Sequence, residues 1–239
     1  MSSFQLEINP DPTAMVQRAA MRWRQWCHDA VADHGCFTVA LSGGSTPKQL
    51  YSHLAQQSDL DWEHTLLFWG DERYVPHDHP DSNYRMTRES LLDHIAIPAG
   101  NLYPWPTATD PDQDARTYQQ QLQQIFKTEW PAFDLMLLGI GGDGHTASLF
   151  PETPALQVQD QWTTVGHKDG EPRLTLTFPA INHSRQVMFL VSGSGKAEIL
   201  KALLTNPSPL PAQQVKAAGQ LMWFLDRDAA AQLPLYFTV

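Results

Sequence analysis

Residues 38–51 read TVALSGGSTPKQLY, an apolar run followed by two glycines and a Ser-Thr-Pro segment. The pattern predicts a buried strand, then a sharp turn that glycine permits, then a helix whose first turn accommodates Pro47. Because a strand that leads directly into a helix is the repeating unit of α/β folds, this segment favours that fold class.

The same alternation continues along the chain. Residues 12–32 have apolar side chains at helical spacing behind an Asp11 cap. Near-continuous apolar strands separated by helices indicate a mostly parallel sheet covered by helices on both faces. Strands are predicted at FQLEI (4–8), CFTVAL (36–41), TLLFWG (65–70), FDLMLLGI (133–140), RLTLTF (173–178), QVMFLVS (186–192) and LMWFLD (221–226), further helices near 46–57, 82–94, 112–128 and 195–204, and loops at 98–111 and 207–211.

Composition narrows the class of protein. A chain of 239 residues, 42% hydrophobic and 18% charged, can bury a sizeable core. The 16 Lys+Arg against 26 Asp+Glu give a formal net charge of −10 without a basic block, which argues against nucleic-acid or anionic-membrane partners. The start MSSFQLEINP lacks a signal-peptide pattern, so a cytoplasmic protein is predicted. Cys27 and Cys36 are interpreted as buried or idle thiols.

In open α/β sheets, ligands bind beyond the carboxyl ends of the strands, so the strand-to-helix loops hold the candidates. The first such loop comprises Gly43, Gly44, Ser45 and Thr46. It would present backbone amides, hydroxyls and a helix N-terminus to an anion, with phosphate favoured. It is neither a nucleotide P-loop, which needs G-x-x-x-x-G-K-[ST], nor a nucleophile elbow, which would need glycine at Pro47. The alternative is a turn that only reverses the chain.

The second loop, residues 70–86, reads GDERYVPHDHPDSNYRM. Asp71, Glu72 and Arg73 lie together where a strand ends, either as functional groups or as a surface salt-bridge cluster.

The same loop contains four residues of types that bind metals, His77, Asp78, His79 and Asp81. Their setting is a turn rich in proline and aspartate, which favours solvated loop residues over a metal site. We therefore predict no metal centre.

The third loop, residues 139–151, reads GIGGDGHTASLFP. Its first six residues match G-x-G-x-x-G, but Pro151 leaves no room for the long helix that dinucleotide binding requires. Asp143 and His145 remain, a carboxylate and an imidazole two residues apart among glycines. This pattern favours His145 as a general base over a purely structural histidine.

Five segments, in this order, resemble the 6-phosphogluconolactonase family, which belongs to a larger group with the glucosamine-6-phosphate deaminases/isomerases. They are LSGGSTPKQLY, FWGDERYVPHDHPDSNYRM, LLGIGGDGHTASLFP, PRLTLTFPAIN and FLVSGSGKA, from about residue 36 to about residue 200. The resemblance implies a single Rossmann-related α/β domain over residues 1–239. It also implies hydrolysis of 6-phospho-D-glucono-1,5-lactone to 6-phosphogluconate in the oxidative pentose phosphate pathway, without an organic cofactor or an obligatory metal.

By this resemblance the loop of Gly43, Gly44, Ser45 and Thr46 would hold the 6-phosphate. Arg173 and Lys196 match the cations that reach the same phosphate in the relatives. A phosphate dianion requires point charges and forked donors beyond what backbone amides supply. The physical requirement therefore agrees with the assignment of Arg173 and Lys196 by resemblance.

The resemblance also assigns catalytic roles. His145 would take a proton from the water that attacks the lactone carbonyl, Asp143 would orient the imidazole, and Arg73 would stabilise the oxyanion. Asp71 is assigned to substrate binding. Asn83 and Arg85 fall near the sugar in the motif, and of the two only Arg85 is predicted to bind the substrate. The predicted partners are the lactone and, transiently, glucose-6-phosphate dehydrogenase.

Two positions depart from the family patterns. The deaminases have a glutamate in GHIAFNEP where this chain has Phe150. A phenylalanine cannot relay protons, which favours a lactonase; a deaminase/isomerase and a non-catalytic sugar-phosphate-binding protein are the alternatives. Relatives often have Lys-Pro-Pro before the arginine motif, and HKDGEP here leaves the conformation around Lys168 open.

Overall fold

A computed structural model describes residues 4–234 and residue 237. Within these residues a seven-stranded, all-parallel sheet has the order β1-β10-β9-β6-β2-β3-β5. Its strands are β1 (Gln5–Asn9), β2 (Phe37–Leu41), β3 (Thr65–Trp69), β5 (Leu102–Tyr103), β6 (Leu135–Leu138), β9 (Gln186–Val191) and β10 (Gln220–Asp226). The predicted α/β class, with a mostly parallel sheet and helices on both faces, is confirmed.

The helices begin where the sequence supplies a cap or a glycine turn. Asp11 accepts a hydrogen bond from the amide of Ala14 at the start of α1, and Asp110 caps α4 by accepting from the Gln113 amide. The helices are α1 (Pro12–His34), α2 (Ser45–Leu54), α3 (Asn83–Ser90), α4 (Pro111–Phe126), α5 (Phe178–Asn182), α6 (Ala197–Thr205) and α7 (Pro211–Gln214).

A second, antiparallel sheet has the order β4-β8-β7, with β4 (Asp71–Arg73), β7 (Thr163–Lys168) and β8 (Glu171–Leu176). The predicted strand RLTLTF therefore belongs mainly to this sheet and not to the parallel one. Asp169 and Gly170, with φ of 53° and 85°, form a two-residue turn that leads β7 directly into β8. Strands joined by so short a turn can pair only in the antiparallel sense.

Two other predictions are corrected. Residues 98–111 are not all loop, because β5 pairs with β3 at the sheet edge. The helix predicted over 82–94 ends at Ser90 and is followed by a 3-10 turn at Leu92–His94. Both short elements have too few residues to show a hydrophobic period in sequence.

Among the described residues, the buried apolar side chains form one cluster that includes residues from both sheets and from six of the seven helices. The single domain over residues 1–239 stays a prediction. Phe189 and Trp223, on neighbouring strands, stack with ring centroids 3.9 Å apart. Among the helices that the structure describes, none is long and apolar enough to cross a membrane.

The strand order places a crevice at the carboxyl end of β2. From β2 the chain proceeds to β3 on one side, whereas β6 pairs with β2 on the other side. The loops that leave β2 and β6 therefore diverge, and parallel sheets bind their ligands at such switch points. The loops after β3 and β9 flank the same position.

Candidate active site

A cavity of about 370 Å³ opens at this switch point. It is lined by groups from the loops after β2, β3, β6 and β9 and from the β7–β8 hairpin. The lining residues are Ser42, Gly43, Gly44, Asp71, Arg73, Asn83, Gly139, Ile140, Gly141, Gly142, His145, Ala147, Ser148, Phe150, Lys168, Arg173 and Lys196. Seven of the eleven site residues predicted from the sequence line this cavity: Gly43, Gly44, Asp71, Arg73, His145, Arg173 and Lys196.

The start of α2 faces this cavity through Gly43 and Gly44. Gly44 is the N-cap residue, with φ of 106°, and no side-chain cap is seen there among the described residues. Ser45 and Thr46 are not among the lining residues, and the Thr46 hydroxyl is 2.8 Å from the Ser192 hydroxyl. A helix N-terminus without a side-chain cap leaves backbone amides and the positive end of the helix dipole available to an anion.

The glycine at position 43 is required by a close approach. A Cβ there would overlap the side-chain amide of Asn83. Asn83 is 1% exposed, and its Nδ2 donates to the carbonyl oxygen of Asp71 at 2.9 Å. The phosphate-loop candidate and the Asp71 strand end are therefore packed against each other through one buried amide.

Gly43→Ala should displace Asn83 and lower both stability and substrate affinity. Overpacking a rigid site of this kind costs about 1–3 kcal/mol of unfolding free energy. Gly100→Ala is the matched control, because a Cβ at Gly100 has no neighbour within 4 Å. Thermal denaturation and KM measure the two effects. Equal stability and equal KM in both variants would contradict the packing argument.

Two arginines lie directly opposite each other at the cavity. Arg73 on β4 is the antiparallel partner of Arg173 on β8. Burial, and next the charge of Arg73, lower the pKa of Arg173. Like charges in directly opposed positions are unfavourable unless an anion lies between or beside them. The pair therefore indicates a site for a strongly anionic group.

Lys196 adds a cation from the loop after β9. Its Nζ donates to the carbonyl oxygen of Ile140 at 2.8 Å, so the ammonium lies beside the loop that carries His145. Asp226, 1% exposed, accepts from the amide of Gly193 and holds this loop in place. Lys196 consequently bridges the β6 and β9 sides of the cavity.

Asp143 and His145 form a hydrogen-bonded pair. The Nδ1 atom of His145 is 2.5 Å from Oδ1 of Asp143, which also accepts from the His145 backbone amide at 3.1 Å. A Cβ at Gly141 would overlap the imidazole, so the ring fits against bare backbone. The turn is closed by the Gly141 amide, which donates to the His145 carbonyl at 2.9 Å.

The surroundings of His145 and Asp143 favour the neutral imidazole and the ionised carboxylate. Burial lowers the pKa of His145 and outweighs Asp143, which raises it; the charge of Lys168 lowers it further. Burial opposes ionisation of Asp143, but hydrogen bonds from the amide and ring of His145 bring its pKa below the ordinary value. A carboxylate at Nδ1 selects the tautomer that carries the proton there, which leaves the Nε2 lone pair to accept a proton.

The acidic residues after β3 differ in their roles. Asp71 is 8% exposed and lines the cavity, and its Oδ2 accepts from the Ser148 hydroxyl at 2.7 Å. Glu72 is 1% exposed and accepts from the backbone amides of Asn83 and Tyr84 at the start of α3. The two carboxylates are therefore not a surface salt-bridge cluster: Asp71 ties the cavity walls together and Glu72 caps a helix.

The cavity at the switch point is thus surrounded by cationic side chains, the uncapped start of α2 and a histidine paired with an aspartate. The chain also shows sequence similarity to known proteins over most of its length. The sequence model described as glucosamine-6-phosphate isomerases/6-phosphogluconolactonase matches residues 10–223. The chain belongs to this family.

The most similar members of the isomerase/lactonase family include named lactonases. A 6-phosphogluconolactonase of Synechocystis is 49% identical over 236 residues, covering 96% of this chain and 98% of the relative. The crystal structure of a protein named devB has a TM-score of 0.89 at 33% identity and covers 97% and 100% of the two chains. The 6-phosphogluconolactonase of Trypanosoma cruzi has a TM-score of 0.87 at 28% identity, with 97% of each chain covered.

Like Ser45 and Thr46, Arg85 was assigned to the substrate by the family resemblance but is not among the residues that line the cavity. Arg85 on α3 donates from Nε to Glu89 at 2.6 Å and from Nη1 to the carbonyl of Asp78 at 2.7 Å. Its contact with a substrate stays a prediction. His77 is also engaged elsewhere: its Nε2 is 2.8 Å from the carbonyl of Trp105. In residues 4–234 and 237, no three His, Cys, Asp or Glu side chains are grouped as a metal ion requires.

Sequence reasoning on the family motifs left several cavity residues unassigned, among them Asn83, which was set aside in favour of Arg85, and Ser148 and Lys168. Ser148 lies three positions after His145, and nothing in the sequence shows that it reaches Asp71. The sequence does contain a pattern that could have placed Lys168. The Asp-Gly pair between TTVGHK and EPRLTL is typical of a two-residue hairpin turn. Such a turn places Lys168 at the tip of a strand whose partner carries Arg173.

Proposed function

We propose that the chain hydrolyses 6-phospho-D-glucono-1,5-lactone to 6-phosphogluconate, with His145 as general base. The observation that carries the proposal is the arrangement of the cavity. A neutral histidine oriented by Asp143 faces the same space as the uncapped N-terminus of α2, the Arg73–Arg173 pair and Lys196. These groups supply a proton acceptor together with sites for a phosphate dianion and for a developing oxyanion.

The reaction needs few groups. Water gives a proton to Nε2 of His145 as its oxygen bonds to the lactone C1, and the carbonyl oxygen becomes an oxyanion beside a cation, for which Arg73 is suited. The bond from C1 to the ring oxygen then breaks, and the imidazolium returns its proton to that oxygen. The resulting carboxylic acid ionises. Asp143 keeps Nδ1 protonated throughout, which stabilises the imidazolium.

The structure of the His145 loop favours a lactonase over a deaminase/isomerase. Phe150 is 5% exposed and its ring centroid is 4.7 Å from that of His145. The phenyl ring beside the base has no acid–base group, whereas sugar-ring opening and deamination require one at this place. The ring excludes water from one side of the imidazole, and the lactonase reaction still needs only the proton transfer between water and Nε2 of His145.

We expect the purified protein to consume the phosphorylated lactone well above its spontaneous rate and to release no ammonia from glucosamine 6-phosphate. Lactone loss at pH 7, corrected for the enzyme-free blank, and an ammonia assay measure the two activities. Ammonia release without lactone turnover would favour the deaminase. Saturable binding of 6-phosphogluconate without any turnover would show a sugar-phosphate-binding protein.

Three further expectations stay predictions. They are that the protein acts in the oxidative pentose phosphate pathway, that it is located in the cytoplasm, and that it associates transiently with glucose-6-phosphate dehydrogenase. Retention of that dehydrogenase on the immobilised protein would support the last of them.

A further inference from the structure

Phe150 and Lys168 meet beside the catalytic base. The Phe150 ring contacts the imidazole of His145 at a centroid distance of 4.7 Å, with the planes inclined by 52°. The ammonium of Lys168 lies 5.7 Å from the centroid of the same ring, within the range of a cation–π contact. One aromatic ring therefore contacts both the base and a cation.

The hairpin is held in this position by backbone packing. Gly166 on β7 lies so close to the carbonyl of Ser148 that a Cβ would overlap that oxygen. The turn at Asp169 and Gly170 begins three residues later, which leaves Lys168 at the end of a strand docked on the His145 loop. The fold consequently fixes the backbone position of Lys168, from which the ammonium extends toward Phe150.

We propose that Phe150 and Lys168 form a tuning pair that keeps His145 unprotonated: the ring excludes water from one side of the imidazole, and the ammonium disfavours a second positive charge nearby. The inference rests on the proposed function, because it concerns the base assigned there. It makes Phe150 and Lys168 positioning residues that act through His145.

Other charges also act on the imidazole. Burial is the largest cause of the lowered pKa of His145; Asp143 on its own loop and Asp71 from β4 raise that pKa, and the charge of Lys168 lowers it. The remaining charged groups that line the cavity are Arg73 on β4, Arg173 on β8 and Lys196 after β9. Of the cations, Lys168 shares an aromatic contact with the base, so its removal should affect protonation most directly.

The test compares the pH dependence of kcat/KM in Lys168→Met, Lys168→Arg and the parent. Loss of the charge should favour the imidazolium, so the acid limb should move to higher pH, lowering kcat/KM about threefold at pH 5.5 relative to the value at pH 8. Lys168→Arg should retain the parent limb. Phe150→Leu should move the limb in the same direction as Lys168→Met, because water then reaches the ring.

A direct titration separates this inference from the proposed function. In protein labelled at histidine, the His145 signal, assigned as the one missing from His145→Asn, should titrate at higher pH in Lys168→Met than in the parent. Unchanged titration in both Lys168→Met and Phe150→Leu would overturn the tuning pair. A uniform rise in KM at every pH with an unmoved limb would overturn it too and would make Lys168 a substrate ligand. If the parent does not hydrolyse the lactone, the proposed function fails; if His145→Asn keeps full activity, only the assignment of the base fails. In both cases the titration still reports on the pair.

Discussion

We expect His145→Asn to lower kcat by about 10² to 10⁴, the usual contribution of a positioned general base, and to retain the fold and phosphate binding. Asparagine occupies much of the space of the imidazole against Gly141 and keeps hydrogen-bonding capacity, but it cannot accept the proton from water. Steady-state lactone hydrolysis, corrected for the blank, measures the loss. Circular dichroism and competitive inhibition by phosphate test that the loop and the anion site remain.

The pH profile should change with the same substitution. Burial lowers the pKa of His145, so in the parent the acid limb of kcat/KM should lie below the ordinary histidine value of 6.5. Below its pKa the imidazole is protonated and cannot act as a base, so kcat/KM decreases as the pH decreases. In His145→Asn this limb should disappear.

His28→Asn is the matched control, since the His28 side chain is 79% exposed on α1. It should keep the parent rate and the parent pH profile. If His145→Asn retains more than about a third of the parent rate, His145 is not the base. Asp71, the cavity carboxylate held by Ser148, would then be the next candidate.

Removal of the phosphate from the substrate should lower kcat/KM by a comparable factor. Charge-assisted contacts contribute about 1.5–3 kcal/mol each, so two of them, from Arg173 and Lys196, amount to about 3–6 kcal/mol, or roughly 10² to 10⁴ in kcat/KM. Unphosphorylated gluconolactone measures the effect directly. The cations face the cavity and the helix N-terminus adds to their field, so the loss should be large.

Single substitutions can show which residues bind the 6-phosphate. Arg173→Met and Lys196→Met should each weaken turnover of the phosphorylated lactone much more than turnover of gluconolactone, which has no group for these cations to bind. Arg88→Met is the control, because Arg88 on α3 is half-exposed and outside the cavity. Equal losses on both substrates would place the phosphate elsewhere or give these cations a structural role.

Much of the architecture could be predicted from local patterns. The apolar run before Gly43 and the loop of Asp143 and His145 are each contained in about a dozen consecutive residues, and the parallel sheet then places both at one edge. The switch between β2 and β6 follows from strand order, which the sequence does not show. Short elements such as β5 were missed because two residues carry no periodicity.

The sequence by itself determined the residue types at the site: glycines that permit close approach, a histidine with an aspartate two residues away, and arginines after apolar strands. Only the tertiary structure decided which of them share a cavity. It paired Arg73 with Arg173, joined Ser148 to Asp71, brought Lys168 to Phe150 and left Arg85 outside. These contacts join residues far apart in the chain through antiparallel pairing and packing, and local spacing carries no information on such distances.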